Sequence, residues 1–434
     1  MPSVPGHSVP RRRWGIAVLV GSGILVSFLD RINLSISAPQ LQGAYGLGPA
    51  DLGFLLSVYI WPYTLLQMPM GLLVDRLGVA RVGRWGSLLW TAASALTALA
   101  SSFWGIVAAR LLLGVAESPS FPAASKATAH WFPRGERARA TAIFDASAKF
   151  SNVVGILVIA FAVQRFGWRW GFAITSAISF LYFVAFCRFY RDPGDDPGLS
   201  PAEREHIVSG GAVPEGPSAT GSAGMMGYLL RQPKVWGLAM GFGAYGYSFY
   251  MILTWLPEYL ATTGGMGIVV SATIAAVPWL VATATDLAVG GWLIDALVAR
   301  GADETRVRKG FFVAGMLLGL AVVGAAMTAR PAWAVLWISI SLGGLGVAAP
   351  VGWSLPSLVA PRGGVGAVGG IMNFAVNAMG IAAPIATGLF VKYTHSFAGA
   401  FLAAAVILAA GLLAFVVLLG RIEPMAGPGA DSPA

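Results

Sequence analysis

Stretches of roughly twenty mostly apolar residues, separated by short polar breaks, recur along the whole chain of 434 residues. A helix needs ~20 such residues to cross the hydrocarbon core of a bilayer. Charged residues make up only 11% of the chain, whereas a soluble domain carries about 25%. Because unpaired backbone polar groups are costly in hydrocarbon, each stretch is expected to be a helix. The pattern therefore predicts an all-α integral membrane protein surrounded by lipid.

The polar breaks divide the chain into two halves of six predicted helices. The first half covers 14–188 and the second 234–421, and between them 189–233 forms a central loop rich in Gly, Pro and Ser. Within that loop, Ser200-Pro201-Ala202-Glu203 fits a capping box with proline at the first helical position, which predicts a short helix. The twelve spanning helices are predicted at residues 14–38, 51–73, 83–101, 103–129, 138–163, 168–188, 234–260, 269–298, 309–329, 332–358, 365–390 and 396–420.

Basic residues are distributed unevenly between the two sides of the predicted membrane. Of the 28 lysines and arginines, four lie within predicted helices, and on the side away from the N-terminus there are only Arg165, Arg169, Arg330 and Lys392. Because cytoplasmic loops collect lysine and arginine, we predict that both termini are cytoplasmic in the cell (inner) membrane. This bias explains the net charge of +9 without a nucleic-acid partner. The basic run 11–13 is interpreted as the start of an uncleaved first helix rather than a signal peptide.

Eight of the ionisable residues inside predicted helices are candidates for a function in the membrane, where a charge at mid-bilayer costs at least about 2.5–3.5 kcal/mol. Such residues are expected to face the interior of the protein and to have a function or a partner. Neighbours on helix 1 point about 100° apart, so they cannot neutralise each other, and residues seven apart stand ~10 Å apart along a helix. The eight are Asp30, Arg31, Arg110, Glu117, Lys126, Asp145, Lys149 and Asp286.

The halves share a weak internal repeat, since the second helix of each ends in Gly-x-x-x-Asp, at Gly71–Asp75 and Gly291–Asp295. Together with Arg76, Gly78 and Arg81, the first copy resembles the loop motif of the major facilitator superfamily. Further segments resemble its anion:cation symporter family. They are Asp30-Arg31-Ile32-Asn33, Arg110-x6-Glu117-x-Pro119, Trp131-Phe132-Pro133-x-x-Glu136-Arg137, Trp255-Leu256-Pro257 and Gly369-Gly370-x-x-Asn373-x-x-x-Asn377-x-x-Gly380.

The resemblance implies two six-helix bundles around a central cavity and carriage of an organic anion such as a sugar acid together with protons. It implies that Arg31 binds the substrate carboxylate, that Tyr63 lies in the binding site, and that Asp30 and Glu117 are proton-coupling carboxylates with Arg110 as partner. A structural polar cluster around helix 1, and an Arg110 that reaches toward water, are the alternatives.

Other candidate site residues follow from their positions. Lys149 can form a pair with Asp145 or a second positive site for substrate, and the resembled family usually has an uncharged residue there. We expect Tyr247, Trp353 and Asn373 to contact the polar part of the substrate. We expect Asp75, Arg76, Arg81 and Asp295 to form a cytoplasmic gating latch, with an ordinary loop salt bridge as the alternative.

Four other functions are alternatives to proton symport. A drug or metabolite antiporter on the same fold is disfavoured because the helix 5 region 149–155 contains no proline, and sodium coupling remains open. An intramembrane enzyme is disfavoured because the chain has neither a paired-histidine metal motif nor Gly-x-Ser-x-Gly. A non-transporting nutrient sensor is the fourth alternative, and such a protein usually carries a long soluble tail after its last helix. We expect no cofactor, no metal and a monomer whose partners are the anion, protons and lipid.

Overall fold

The computed structural model describes residues 11–133, 136–212, 223–265, 267–289, 293–328, 330–361 and 364–427. Helices dominate these residues. Most breaks between helices fall close to the predicted polar breaks, but the predicted spans 51–73, 103–129 and 309–329 are each interrupted. The helices are α1 (Arg12–Tyr45), α2 (Pro49–Val58), α3 (Ile60–Leu77), α4 (Val79–Leu99), α5 (Phe103–Glu117), α6 (Ser120–Trp131), α7 (Arg137–Phe166), α8 (Trp168–Phe189), α9 (Pro201–Ser209), α10 (Ala223–Leu229), α11 (Pro233–Gly264), α12 (Ile268–Ala288), α13 (Ile294–Ala299), α14 (Glu304–Gly319), α15 (Val322–Ala326), α16 (Pro331–Val359), α17 (Val365–Thr394) and α18 (Ala398–Leu419).

Within the described residues, eight helical segments are long and apolar enough to cross a membrane: α1, α7, α8, α12, α14 with α15, α16, α17 and α18. The other four spans of the twelve-helix fold are α2 with α3, α4, α5 with α6, and α11. The sequence predicted 103–129 as one continuous helix, but the structure breaks it after Glu117. Pro119 explains the break, because a proline has no N–H to donate to the preceding turn.

Two bundles follow from the packing of these helices. In the first half, α1 packs on α7 and α8, and α4 packs on α5 and α8. In the second half, α11 packs on α17 and α18, and α16 packs on α12 and α14. The bundles meet where α2 packs on α17 and where α7 packs on α12.

The described part of the loop between the bundles, the start of α1 and the described residues after α18 share one face, which we call the linker face. Arg12 at the start of α1 binds Asp196 of the central loop with 2.9 Å between Nη2 and Oδ2. Near the C-terminus, the Met425 N–H donates to the Val359 carbonyl at 2.9 Å. The other side of the membrane-spanning region is called the opposite face.

The bundles are closed against each other at the opposite face. A Cβ added to Gly53 of α2 would lie 2.5 Å from the Pro384 carbonyl oxygen of α17, so only glycine allows this approach. Gly388 of α17 is pressed in the same way against the Pro49 carbonyl. Deeper in the protein, a further contact joins the two bundles, because the Ser35 hydroxyl of α1 donates to the Thr254 carbonyl of α11.

The predicted helix in the central loop is present, but its capping box is only half formed. The Ser200 hydroxyl accepts from the Glu203 N–H at 3.2 Å, as expected. The Glu203 carboxylate instead accepts from the backbone N–H groups of Arg12 and Arg13 at 3.2 and 3.1 Å. It also pairs with the Arg13 guanidinium at 2.9 Å. A carboxylate is favourable at the positive N-terminal end of a helix, so Glu203 caps α1 and docks the loop on the first bundle.

A second carboxylate extends this network. Arg13 Nε donates to Glu136 Oε2 at 2.7 Å, and His206 lies 3.1 Å from Glu136 Oε1. The hydrogen bond from Arg13 lowers the pKa of Glu136. The pair therefore stabilises the fold at neutral pH and loses this contribution as the pH falls through that lowered pKa.

We expect Glu203→Gln to lower the melting temperature of the purified protein by several degrees. The Glu203 side chain is fully buried, and the change removes the negative charge that faces the N-terminal end of α1 and the Arg13 guanidinium, although Glu136 still pairs with Arg13. The measurement is thermal unfolding followed by intrinsic fluorescence. The matched control is Glu205→Gln, an exposed position on the same helix. Equal melting temperatures for the two variants would contradict the capping role.

Candidate functional site

An ion pair joins Arg31 of α1 to Glu117, the last residue of α5. Arg31 Nε lies 2.8 Å from Glu117 Oε2, and both side chains are buried. Arg31 Nη2 and Glu117 Oε1 are buried without a hydrogen-bond partner among the described residues. The break after Glu117 places its carboxylate beside α1. The sequence predicted a function for each residue but did not predict that they pair.

Aromatic rings enclose the Arg31 guanidinium. Its central carbon lies 4.5 Å from the ring centroid of Phe28, 4.7 Å from that of Tyr63 and 5.6 Å from that of Tyr59. Ring faces attract a cation, and more strongly where water is excluded. The guanidinium is thus held in place by rings and one carboxylate oxygen, while Nη2 keeps its donor capacity.

Asp30 points away from its neighbour Arg31, as the helix geometry predicted. Its two carboxylate oxygens accept from the Ser94 hydroxyl at 2.6 Å and from the Ser179 hydroxyl at 2.9 Å. Arg110 is only 1% exposed, so it does not reach toward water. It donates instead to the Asp30 backbone carbonyl at 2.9 Å. The two serines carry no sequence signal that distinguishes them from other membrane serines.

A line of polar side chains crosses from the first bundle to the second. Asn373 Nδ2 donates to Gln67 Oε1 at 2.7 Å, and Gln67 Nε2 donates to the Tyr63 hydroxyl at 3.4 Å. Within the second bundle, the Tyr250 hydroxyl donates to Asn377 Oδ1 at 3.1 Å. The structure therefore brings the predicted residues Tyr63 and Asn373 into one network, through Gln67, which the sequence analysis did not select.

Lys149 lies between two carboxylates. Its Nζ is 2.8 Å from Asp145 Oδ2 on the same helix and 3.0 Å from Asp286 Oδ2 on α12. The first contact is the predicted i,i+4 pair. The second joins the two bundles and gives Asp286 a lysine partner.

Comparison with known proteins identifies the family. Residues 20–384 match the sequence model of the Major Facilitator Superfamily. The chain belongs to the major facilitator superfamily. Members of this superfamily are transporters and not enzymes.

Several curated superfamily members resemble the chain over nearly its whole length. The Bacillus subtilis protein named Uncharacterized transporter YybO is 38% identical, with 96% of each chain covered. The D-galactonate transporter of an Escherichia coli O6:H1 strain is 28% identical, with 95% of this chain and 97% of that one covered. The probable galactarate/D-glucarate transporter GudP of Escherichia coli K12 is 30% identical, with coverages of 98% and 99%.

Among solved superfamily structures, a bacterial homologue of the human lysosomal transporter Spinster, inward-facing and unoccupied, matches with a TM-score of 0.69. It covers 96% of each chain at 15% identity. This similarity supports the twelve-helix superfamily fold with two six-helix bundles.

The remaining predicted binding residues lie in the second bundle of this superfamily fold. Tyr247 is buried in α11, and Trp353 on α16 is 42% exposed. The Trp353 ring packs edge-on against Phe242 with 5.1 Å between centroids. Contact of Tyr247 and Trp353 with a substrate stays a prediction.

The predicted latch lies at the linker face. Arg76 and Arg81 are exposed, which places them outside any enclosed site. The side chains of Asp75 and Asp295 lie outside the part of the chain that the structure describes. The gating role of these four residues therefore stays a prediction.

Proposed function

We propose that the protein imports a small organic anion, a carboxylate such as a sugar acid, by proton symport with rocker-switch alternating access. One observation carries this proposal. Arg31 and Glu117 form a buried pair in which an arginine nitrogen is left without a partner. A guanidinium N–H forms a strong charge-assisted hydrogen bond with a carboxylate, so this nitrogen is suited to a substrate carboxylate.

Competition for Arg31 would couple the proton to the anion. When Glu117 is ionised, it occupies the guanidinium and repels a second carboxylate. When Glu117 takes up a proton, the charge of Arg31 becomes available in a site where an uncompensated cation is costly, and the anion binds. Because the two binding events are linked, proton binding and anion binding must strengthen each other by the same factor.

Asp30 is proposed as a second coupling carboxylate. Two serine hydroxyls donate to its carboxylate oxygens, so the carboxylate is held inside the first bundle. Arg110 is held by the Asp30 carbonyl, and its Nε and Nη2 are buried without hydrogen-bond partners among the described residues. Arg110 therefore supplies positive charge near the Asp30 and Glu117 carboxylates, while its Nε and Nη2 form no hydrogen bond with either of them.

Two observations support the substrate class: the polar side chains that cross between the bundles, and the substrates in the names of the relatives. Tyr63, Gln67 and Asn373 offer hydroxyl and amide groups that suit a hydroxylated chain. The relatives include proteins named as transporters of D-galactonate and of galactarate/D-glucarate, which are hydroxylated acids. Both lines of support favour a sugar acid over a purely aromatic acid.

We also propose the orientation. The predicted excess of lysine and arginine lies on the side of the N-terminus, which is the linker face, so this face is assigned to the cytoplasm. The closure of the bundles at the opposite face would then make this conformation inward-facing. The membrane is the cell (inner) membrane.

Uptake by purified protein in liposomes tests the proposal. With an acid exterior, we expect concentrative uptake of labelled D-galactonate or D-glucarate that collapses when a proton ionophore is added. Protein-free liposomes are the control. Uptake that depends on sodium and is insensitive to the ionophore would replace proton coupling by sodium coupling. Transport of lipophilic cations without any anion would overturn the import of acids.

A further inference from the structure

A cavity of about 720 Å³ opens at the opposite face, apart from the Arg31 site. Most of its wall comes from the second bundle, at the ends of α11, α15 and α17 and the start of α18. Gln42 and Pro49 add a rim from the first bundle. Its size is within the range of small-molecule sites, about 300–1,000 Å³.

A buried carboxylate lines this cavity. Glu258 of α11 is only 3% exposed, and its Oε2 has no hydrogen-bond partner among the described residues. The described wall contains neither lysine nor arginine, and apart from Glu258 its titratable side chains are Tyr259 and His395. A buried charge normally requires a partner, and the cavity is where a cationic partner can enter.

Aromatic side chains line the same cavity as the carboxylate. Trp255, Tyr259, Phe397 and Phe401 all line the cavity. Phe397 packs edge-on against Trp255 and Tyr259 with 5.7 and 5.3 Å between ring centroids, and Tyr259 packs edge-on against Phe401 at 5.2 Å. These contacts fix the rings as a rigid wall beside Glu258.

We propose that this cavity is a binding site for a small organic ammonium cation, with Glu258 as the counter-ion and the aromatic wall as the surface that receives its alkyl groups. Aromatic rings with a carboxylate are the environment in which proteins bind quaternary ammonium groups. A calcium or magnesium ion instead needs six or more oxygen ligands, and Glu258 is the only carboxylate in the described wall. The site does not depend on which anion the protein carries.

Occupancy of the site would stabilise the observed conformation. The rim from Gln42 and Pro49 belongs to the first bundle, so the cavity changes shape when the bundles separate at this face. A ligand that binds one conformation better shifts the population toward it. Binding is therefore expected to raise the melting temperature of the full-length protein in detergent.

The test uses tetramethylammonium chloride as the probe, with total chloride held constant by sodium chloride. We expect a saturable rise in melting temperature for the native sequence, confirmed by calorimetric titration. Glu258→Gln should weaken binding by roughly tenfold or more, since it removes the counter-ion. Glu205→Gln, an exposed position at the linker face, should bind as the native sequence does.

A second variant keeps the test decisive if Glu258→Gln does not fold. Tyr259→Leu retains the carboxylate but removes one ring, and it should weaken binding several-fold. Absence of saturable binding to the native sequence would overturn the proposal. So would unchanged affinity in both variants, or an equal response to sodium at the same concentration.

Discussion

Glu117→Gln is expected to remove one coupled proton from the driving force for anion accumulation while leaving exchange of the anion across the membrane within a few-fold of normal. Glutamine has the shape of a protonated glutamate and still offers an oxygen to Arg31, but it cannot release a proton. The guanidinium is then permanently available to a carboxylate. Each coupled proton supplies about 1.4 kcal/mol per pH unit, a factor of about ten in the accumulation ratio. That factor should disappear.

Two assays on the same liposomes separate coupling from binding. Counterflow measures exchange of labelled against unlabelled anion with no pH gradient, and uptake under an acid exterior measures accumulation. Glu205→Gln makes the same chemical change at an exposed position on α9 and should leave both assays unaffected. Full accumulation by Glu117→Gln would contradict the competition mechanism. Loss of both activities would assign Glu117 to the integrity of the site instead.

The number of membrane spans and the buried charges could be predicted from the sequence because both depend on local properties. Apolar length sets the spans, and the cost of a charge in lipid marks Arg31, Glu117 and Lys149 as residues that need partners. The i,i+4 contact of Lys149 with Asp145 also follows from helix geometry alone.

The pairings between helices could not be predicted, because spacing along one helix says nothing about its neighbours. Arg31 and Glu117 are 86 residues apart in sequence, and Lys149 and Asp286 are 137 apart. Their contacts depend on how the bundles pack. Glu203 shows the same limit, since its local pattern predicted a cap for its own helix and the carboxylate caps α1 instead.

Glu258 is a different case, because its sequence signal was present and was not used. It is a single carboxylate within the apolar segment predicted at 234–260, and the cost of burying a charge applies to it as it does to Glu117. What the sequence could not supply is the cavity, which is formed by the ends of six separate helices.

Lys149→Met is expected to reduce the initial rate of anion uptake by roughly tenfold or more, because it leaves the buried Asp286 without its cation. The bridge is one of the described polar contacts between the bundles, and alternating access requires the bundles to move against each other. Lys392→Met, at an exposed position on α17, is the matched control and should transport normally. The amount of folded protein is checked by size-exclusion chromatography.

Exchanging the charges of Lys149 and Asp286 distinguishes a bridge between the bundles from substrate binding by Lys149. The double variant Lys149→Asp with Asp286→Lys keeps one cation and two carboxylates between α7 and α12, since Asp145 is unchanged. If the bridge holds the bundles together, the double variant should recover most of the rate that each single variant loses, which a double-mutant cycle reports as a coupling energy. If Lys149 instead binds the substrate, moving the cation to α12 should not restore transport. Recovery would therefore remove Lys149 from the predicted substrate-binding residues, and lack of recovery in a folded double variant would keep it there.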